Sequence, residues 1–184
     1  MRQFAVFMFA ALTLAPLSQA HAFSLKQGGA TSQPAGHFQF CKRGGRHCGS
    51  HKEAGPAKLT DARMNALNSV NRRVNGSIRA ASDMVVHGVA EHWKEGGRSG
   101  DCEDFAMKKR SMLLGRGFHP SQLRLAKTRL RNGEAHIVLV VRTDKGDFVL
   151  DNLTNKVKPW RSTNMRFLKM QSFSNDNLWV RVRG

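Results

Sequence analysis

A chain of 184 residues fits a single domain, large enough to bury a hydrophobic core without needing many disulfides. Its formal charge of +17, from 30 basic and 13 acidic residues, predicts attraction to polyanions but does not say which kind. The basic runs Lys108-Lys109-Arg110 and Lys127 to Arg131 lack the interleaved exposed aromatics that nucleic-acid binding would want, which argues against that class.

Arg2 precedes an apolar stretch from Phe4 to Pro16, and Ala20-His21-Ala22 supplies a small-residue cleavage point. This is the layout of a signal peptide over residues 1–22, cleaved after Ala22. The apolar run is shorter than the about 20 residues a membrane span needs, and no later segment comes close. Residues 23–36, polar and rich in Gly, Ser and Gln, are expected to form a flexible arm, leaving 37–184 as the domain. Cys41, His47, Cys48 and His51 read either as a short disulfide loop or as a zinc cluster, and export favours the disulfide. Thr60 can cap a helix with Met64, Leu67, Val70 and Val74 on one stripe, stopping at Asn75-Gly76. A weaker helical pattern runs from Ser77 to Trp93. Asp101 can cap a further helix that reaches Leu114 and ends at Gly115 and Gly117. After Pro120 the pattern turns to strands, expected at 122–131, 134–142, 147–152, 165–171 and 177–183. The continuous apolar run Ile137 to Val141 suggests a central strand covered on both faces. Helices first and strands later describe an α+β domain.

Three cysteines in an oxidising compartment make one pair and one left over, and Cys102 is the odd one. It stands in the first turn of the expected helix, after the loop Gly96 to Gly100. There the helix dipole and unpaired N–H groups favour a thiolate and can stabilise an oxyanion. A buried, inert thiol fits the same local context equally well. Asp101, Glu103 and Asp104 oppose activation, because neighbouring negative charge raises a thiol pKa. Either these carboxylates point away from the sulfur or a cation neutralises them, and hard oxygen ligands suit Ca²⁺.

A thiol nucleophile needs a base, and an imidazole needs an orienting acceptor. Of the seven histidines after residue 22, only His136 sits at the mouth of a convincing strand, and the next strand carries Asp151. Their contact depends on register. With Thr143 to Gly146 as the loop, Asp151 falls opposite Val138, diagonal to His136 on the same face. A turn at Lys145-Gly146 moves it opposite Val140, roughly 13 Å along the strand from His136. A three-residue loop turns it to the other face.

Three blocks together resemble the bacterial transglutaminase-like cysteine proteinase family: Gly-Asp-Cys-Glu-Asp-Phe-Ala-Met-Lys-Lys-Arg (100–110), Ala-His-Ile-Val-Leu-Val-Val-Arg-Thr (135–143) and Gly-Asp-Phe-Val-Leu-Asp-Asn (146–152). Phe40-Cys41 to Cys48 and Val74-Asn75, Asp83 and Trp93 extend the likeness over most of 38–161. The resemblance implies a papain-like, transglutaminase-type fold in which a cysteine-bearing helix packs on an antiparallel sheet. It implies Cys102 as nucleophile, His136 as general base and then acid, and Asp151 as the residue that orients it. LapG-type periplasmic members require calcium, which implies a metal role for Asp101 and Glu103. They cut large surface adhesins under an inner-membrane receptor for cyclic di-GMP, so the implied partners are a large adhesin and such a receptor, with a periplasmic location; the basic charge of the chain would suit an acidic adhesin. Phe105 stands where the family commonly has Tyr, and the stretch from Trp93 to Cys102 is short and lacks the expected proline. Two rival functions remain at this level: an amidase or transglutaminase passing the acyl group to an amine, and a non-catalytic basic binding protein on the same scaffold.

Overall fold

A computed structural model describes residues 24–183; the expected signal segment and its cleavage point lie outside the described residues. Strands dominate the second half, as their β-branched runs require. Strands β4 (Leu123–Arg129), β5 (Ala135–Thr143), β6 (Gly146–Asp151), β7 (Thr154–Pro159), β8 (Arg166–Gln171) and β9 (Trp179–Arg183) join β1 (Lys26–Thr31) in one sheet. Its order is β1-β9-β8-β4-β5-β6-β7, and every pairing is antiparallel. Four helices precede or accompany it: α1 (Ala35–Lys42), α2 (Asp61–Ser77), α3 (Asp83–His87) and α4 (Cys102–Leu114). The domain is therefore α+β. Among the described residues, no helix is long and apolar enough to cross a membrane.

β5 lies inside this order, between β4 and β6, and is buried from His136 to Val141. Its alternate residues feed two cores. Ile137, Leu139 and Val141 pack with Leu67, Val70 and Val74 of α2 and Phe105, Ala106 and Leu113 of α4. Val138 and Val140 face Ala126, Val149, Phe167, Met170 and Leu25 on the other side. Removing a fully buried leucine such as Leu139 would cost about 2–5 kcal/mol, because the transfer loss adds to an unfilled cavity. Thr60 caps α2 as expected, accepting from the Arg63 N–H, and the helix runs to Ser77, one residue past the Asn75-Gly76 stop.

Several expectations are corrected. The described part of the expected arm, 24–36, is not loose: Lys26–Thr31 pair with β9 across an irregularity at Gln27–Ala30, and α1 starts at Ala35. Leu25 is buried, and its N–H donates to Asp147 Oδ2 at 2.8 Å. An unpaired edge strand and one buried carboxylate recruit this segment, whose own composition is too polar to announce it. Past the end of α2, the span 77–93 is not one helix: it holds a two-residue strand and the short α3, which ends where Gly88 takes a left-handed conformation (φ 69°). The zinc alternative does not form: Cys41 and Cys48 are joined as a disulfide, while His47 approaches Glu95 and His51 approaches Asp176.

Candidate active site

The β5–β6 hairpin carries the register on which the site depends. Arg142 pairs with Asp147 and Leu139 with Leu150, which sets Asp151 level with Val138. Thr143 and Gly146 also pair, so the loop narrows to Asp144-Lys145 without changing that alignment. Gly146 takes φ 103°, a conformation that favours glycine and lets the chain reverse this tightly. The consequence is direct contact: His136 Nε2 lies 2.8 Å from Asp151 Oδ1, with both residues buried. Asp151 Oδ1 also accepts the Leu153 N–H at 3.1 Å. Burial alone would raise the Asp151 carboxyl, but the hydrogen bonds from His136 and Leu153 and the charges of His136 and Lys109 bring it below its ordinary value. An ionised Asp151 holding Nε2–H leaves the imidazole lone pair on Nδ1.

Cys102 opens α4 and comes to the same strand mouth. Its Sγ accepts the N–H of Ile137, the residue after His136, at 3.3 Å. The thiol itself donates to Glu103 Oε2 at 3.1 Å, and no thiol–imidazole hydrogen bond occurs among the described residues. Burial first, then the charge of Glu103, push this thiol far above its usual pKa, against the pull of the Ile137 N–H. So the carboxylates do not all turn away from the sulfur. Gly100 precedes the turn because a Cβ there would collide with the Asp104 carboxylate. Asp104 is fully buried, accepts the Lys94 N–H at 3.0 Å and pairs with Lys94 Nζ at 2.9 Å. Burial, only partly offset by Lys94, moves its carboxyl up to about 6.

Asp101 occupies the N-cap position but does not cap the helix; its Oδ2 accepts the N–H of Asp83 at 3.3 Å. A two-residue parallel pairing draws this distant segment in: β2 (Arg79–Ala80) lies against β3 (Ser99–Gly100). It sets Asp83, at the start of α3, beside Asp101 and Glu103, with one oxygen of each carboxylate within 4.8 Å of the others. Sequence reasoning named Asp101 and Glu103 as candidate metal residues and did not name Asp83 with them. Its position in the resemblance was the available signal. Asp83 Oδ1 and Asp101 Oδ1 are buried with no hydrogen-bond partner. Burial and the neighbouring Asp101 charge push Glu103 up to about 8, and burial raises Asp101 as well. This is a set of hard oxygen donors short of positive charge, and it fits a divalent cation such as Ca²⁺.

Trp93 and Lys109 are two further buried residues of this region. Trp93 is buried, and its indole N–H donates to Glu91 Oε2 at 2.9 Å, so it is a packing residue here. Lys109, two turns along α4 from the cysteine, is fully buried with no hydrogen-bond partner for Nζ and sits 5.9 Å from the Phe105 ring centroid. Burial lowers it to about 7, while the Asp151 charge works to keep it protonated.

Comparison with known proteins bears on the fold and the family. The calcium-bound structure of Legionella pneumophila LapG is similar over 67% of this chain and 71% of its own, at 25% identity and a TM-score of 0.54. The EGTA-treated structure of the same protein gives 26% identity and a TM-score of 0.53 over 67% of this chain and 69% of its own. No curated protein sequence matches. The family model for the bacterial transglutaminase-like cysteine proteinases (BTLCP) matches residues 27–184, taking in the hairpin, the cysteine helix and the carboxylate cluster. The chain is a cysteine peptidase and belongs to the bacterial transglutaminase-like cysteine proteinase family.

Proposed function

We propose that the protein is an exported, periplasmic endopeptidase that cleaves a polypeptide substrate through Cys102, His136 and Asp151. The observation that carries this reading is the 2.8 Å contact of His136 Nε2 with Asp151 Oδ1, next to the strand N–H that holds Cys102 Sγ. His136 Nδ1 takes the thiol proton as sulfur attacks the scissile carbonyl carbon. The first N–H groups of α4 have no partner within the helix and stand ready for the resulting oxyanion. Collapse breaks the C–N bond, the imidazolium returns its proton to the departing amine, and a thioester remains on Cys102. Water, deprotonated by the same imidazole, hydrolyses the thioester and frees the acid. Asp151 keeps the ring in the required tautomer throughout and stabilises its charged form.

Asp83, Asp101 and Glu103 are the residues that would hold calcium, and the relative described as calcium-bound supports the choice of ion. When bound, the ion supplies positive charge that offsets these carboxylates. Glu103 then has an electrostatic partner other than the Cys102 thiol. A surface adhesin is the substrate class, and an inner-membrane cyclic di-GMP receptor the regulatory partner, that the family resemblance suggests. Both this substrate and the periplasmic location rest on that resemblance and on the expected signal peptide.

The test is to incubate exported proteins of the producing cell with wild type or with Cys102→Ala, each with and without a calcium chelator. Bands that change only with wild type and calcium support the proposal. Cleavage that persists with Cys102→Ala sinks it.

A further inference from the structure

A hollow of about 220 Å³ opens beside the His136–Asp151 pair, with Asp151 at its wall. Leu130, Leu153 and Met165 give it apolar sides, and Lys156 and Lys158 of β7 supply its charge. His136 does not line it, but Thr128, which pairs opposite His136, has its hydroxyl 3.8 Å from Met165 Sδ of the wall. Arg131 Nη2 donates to Asn164 Oδ1 at 3.0 Å, tying the β4–β5 turn to the segment before β8 along one rim.

The charge in this hollow is unbalanced. Neither Lys156 nor Lys158 has an ion-pair partner among the described residues. Asp151, the one carboxylate in the lining, already accepts from His136 and from the Leu153 N–H. Two unpaired ammonium groups beside an apolar wall suit an acidic stretch of polypeptide that carries apolar side chains as well. Leu153, exposed at 61%, offers the contact for one of them.

We propose that this hollow is a substrate subsite that recognises acidic residues a short distance from the scissile bond. The inference rests on Asp151 belonging to the catalytic site, and it names the substrate class: a polypeptide with Asp or Glu close to the cleaved peptide bond. Lys156 and Lys158 are specificity residues in this scheme. They bind substrate and take no part in the chemistry at Cys102.

The test uses three fluorescein-labelled probes: a Glu/Leu peptide, a Gln/Leu peptide of the same length and a single-stranded oligonucleotide of equal charge. Binding is followed by fluorescence polarisation to the full protein, to Lys156→Glu/Lys158→Glu and to a control of equal net charge, Lys52→Glu/Lys58→Glu. The acidic peptide should bind wild type about tenfold more tightly than the neutral one, in line with two ion pairs next to an apolar contact. That advantage should vanish in the β7 variant, persist in the control and shrink with added salt. Equal loss in both variants, or no preference for the acidic peptide, overturns the proposal. An oligonucleotide that binds equally well through the same two lysines replaces the peptide with another polyanion and also overturns it. Labelling of Cys102 by iodoacetamide is measured in parallel. Slow labelling with intact peptide binding would count against the proposed nucleophile and leave the subsite standing.

Discussion

Two polar clusters flank the cysteine, and they are built on opposite principles. The His136–Asp151 pair is complete: its carboxylate oxygen has two donors, and Asp151 is ionised more easily than an ordinary aspartate despite burial. The cluster of Asp83, Asp101 and Glu103 is incomplete, with two buried oxygens unpartnered and Glu103 pushed up to about 8. A satisfied network fixes geometry, whereas an unsatisfied one stores a demand for positive charge. The hairpin can therefore orient an imidazole on its own. The helix mouth needs something added before the sulfur beside it meets favourable conditions for ionisation.

The sharpest way to break this contrast is to remove members of each cluster. Cys102→Ala should lower turnover by about 10⁴-fold or more while leaving the thermal midpoint near that of wild type, measured by substrate cleavage and by calorimetry. Asp151→Asn should follow with a loss of about 10²–10⁴-fold in kcat, because the imidazole loses the partner that sets its tautomer. If Asp151→Asn retained full activity, the division into a complete and an incomplete cluster would have no functional meaning.

Calcium probes the other cluster through stability. At a hundredfold excess over its dissociation constant the ion should add about 2.7 kcal/mol of folding stability. Asp83→Asn and Glu103→Gln should each abolish most of that gain in a melting assay. The pH dependence has a definite sign. Glu103 releases its proton near 8 when folded but near the ordinary carboxylate value when unfolded, so the unfolded chain holds fewer protons between them. In chelator, stability should therefore fall as pH rises through that window, and Glu103→Gln should flatten the slope. A slope unchanged by Glu103→Gln would show that this carboxylate is not the strained one.

The smallest effect is expected at Lys109. Replacing this buried ammonium with Met should raise stability near pH 6 by about 1–3 kcal/mol, since a desolvated charge without a hydrogen bond gives way to an apolar side chain. Lys109 loses its proton near 7 when folded and near its ordinary value when unfolded. The wild type should thus gain stability as pH rises above 7, and Lys109→Met should lack that gain in denaturant titrations. Asp151 in the variant should titrate at a higher pH, readable by carboxyl NMR.

What the sequence disclosed follows the same division. The β5–β6 hairpin was legible because an apolar run, a glycine turn and a two-residue side-chain period leave few registers, and the observed pairing is the one that lets residues 136 and 151 touch. Helix α4 was legible because a glycine loop precedes it and Gly115 follows it. Asp83 was hidden as a member of the carboxylate cluster because a two-residue pairing between β2 and β3 brings it in, and so short a contact leaves no periodic trace. Strands β1 and β7 were missed for a related reason. Both lie at sheet edges, where the neighbouring strand dictates conformation and side chains stay polar.

The disulfide also determines what oxidation can do to this enzyme. Cys41 and Cys48 are bonded to each other, and the chain contains three cysteines in all. A sulfenic acid formed on Cys102 therefore has no free resolving thiol within its own chain. Return to the reduced form depends on a thiol from outside, and until one arrives further oxidation is irreversible.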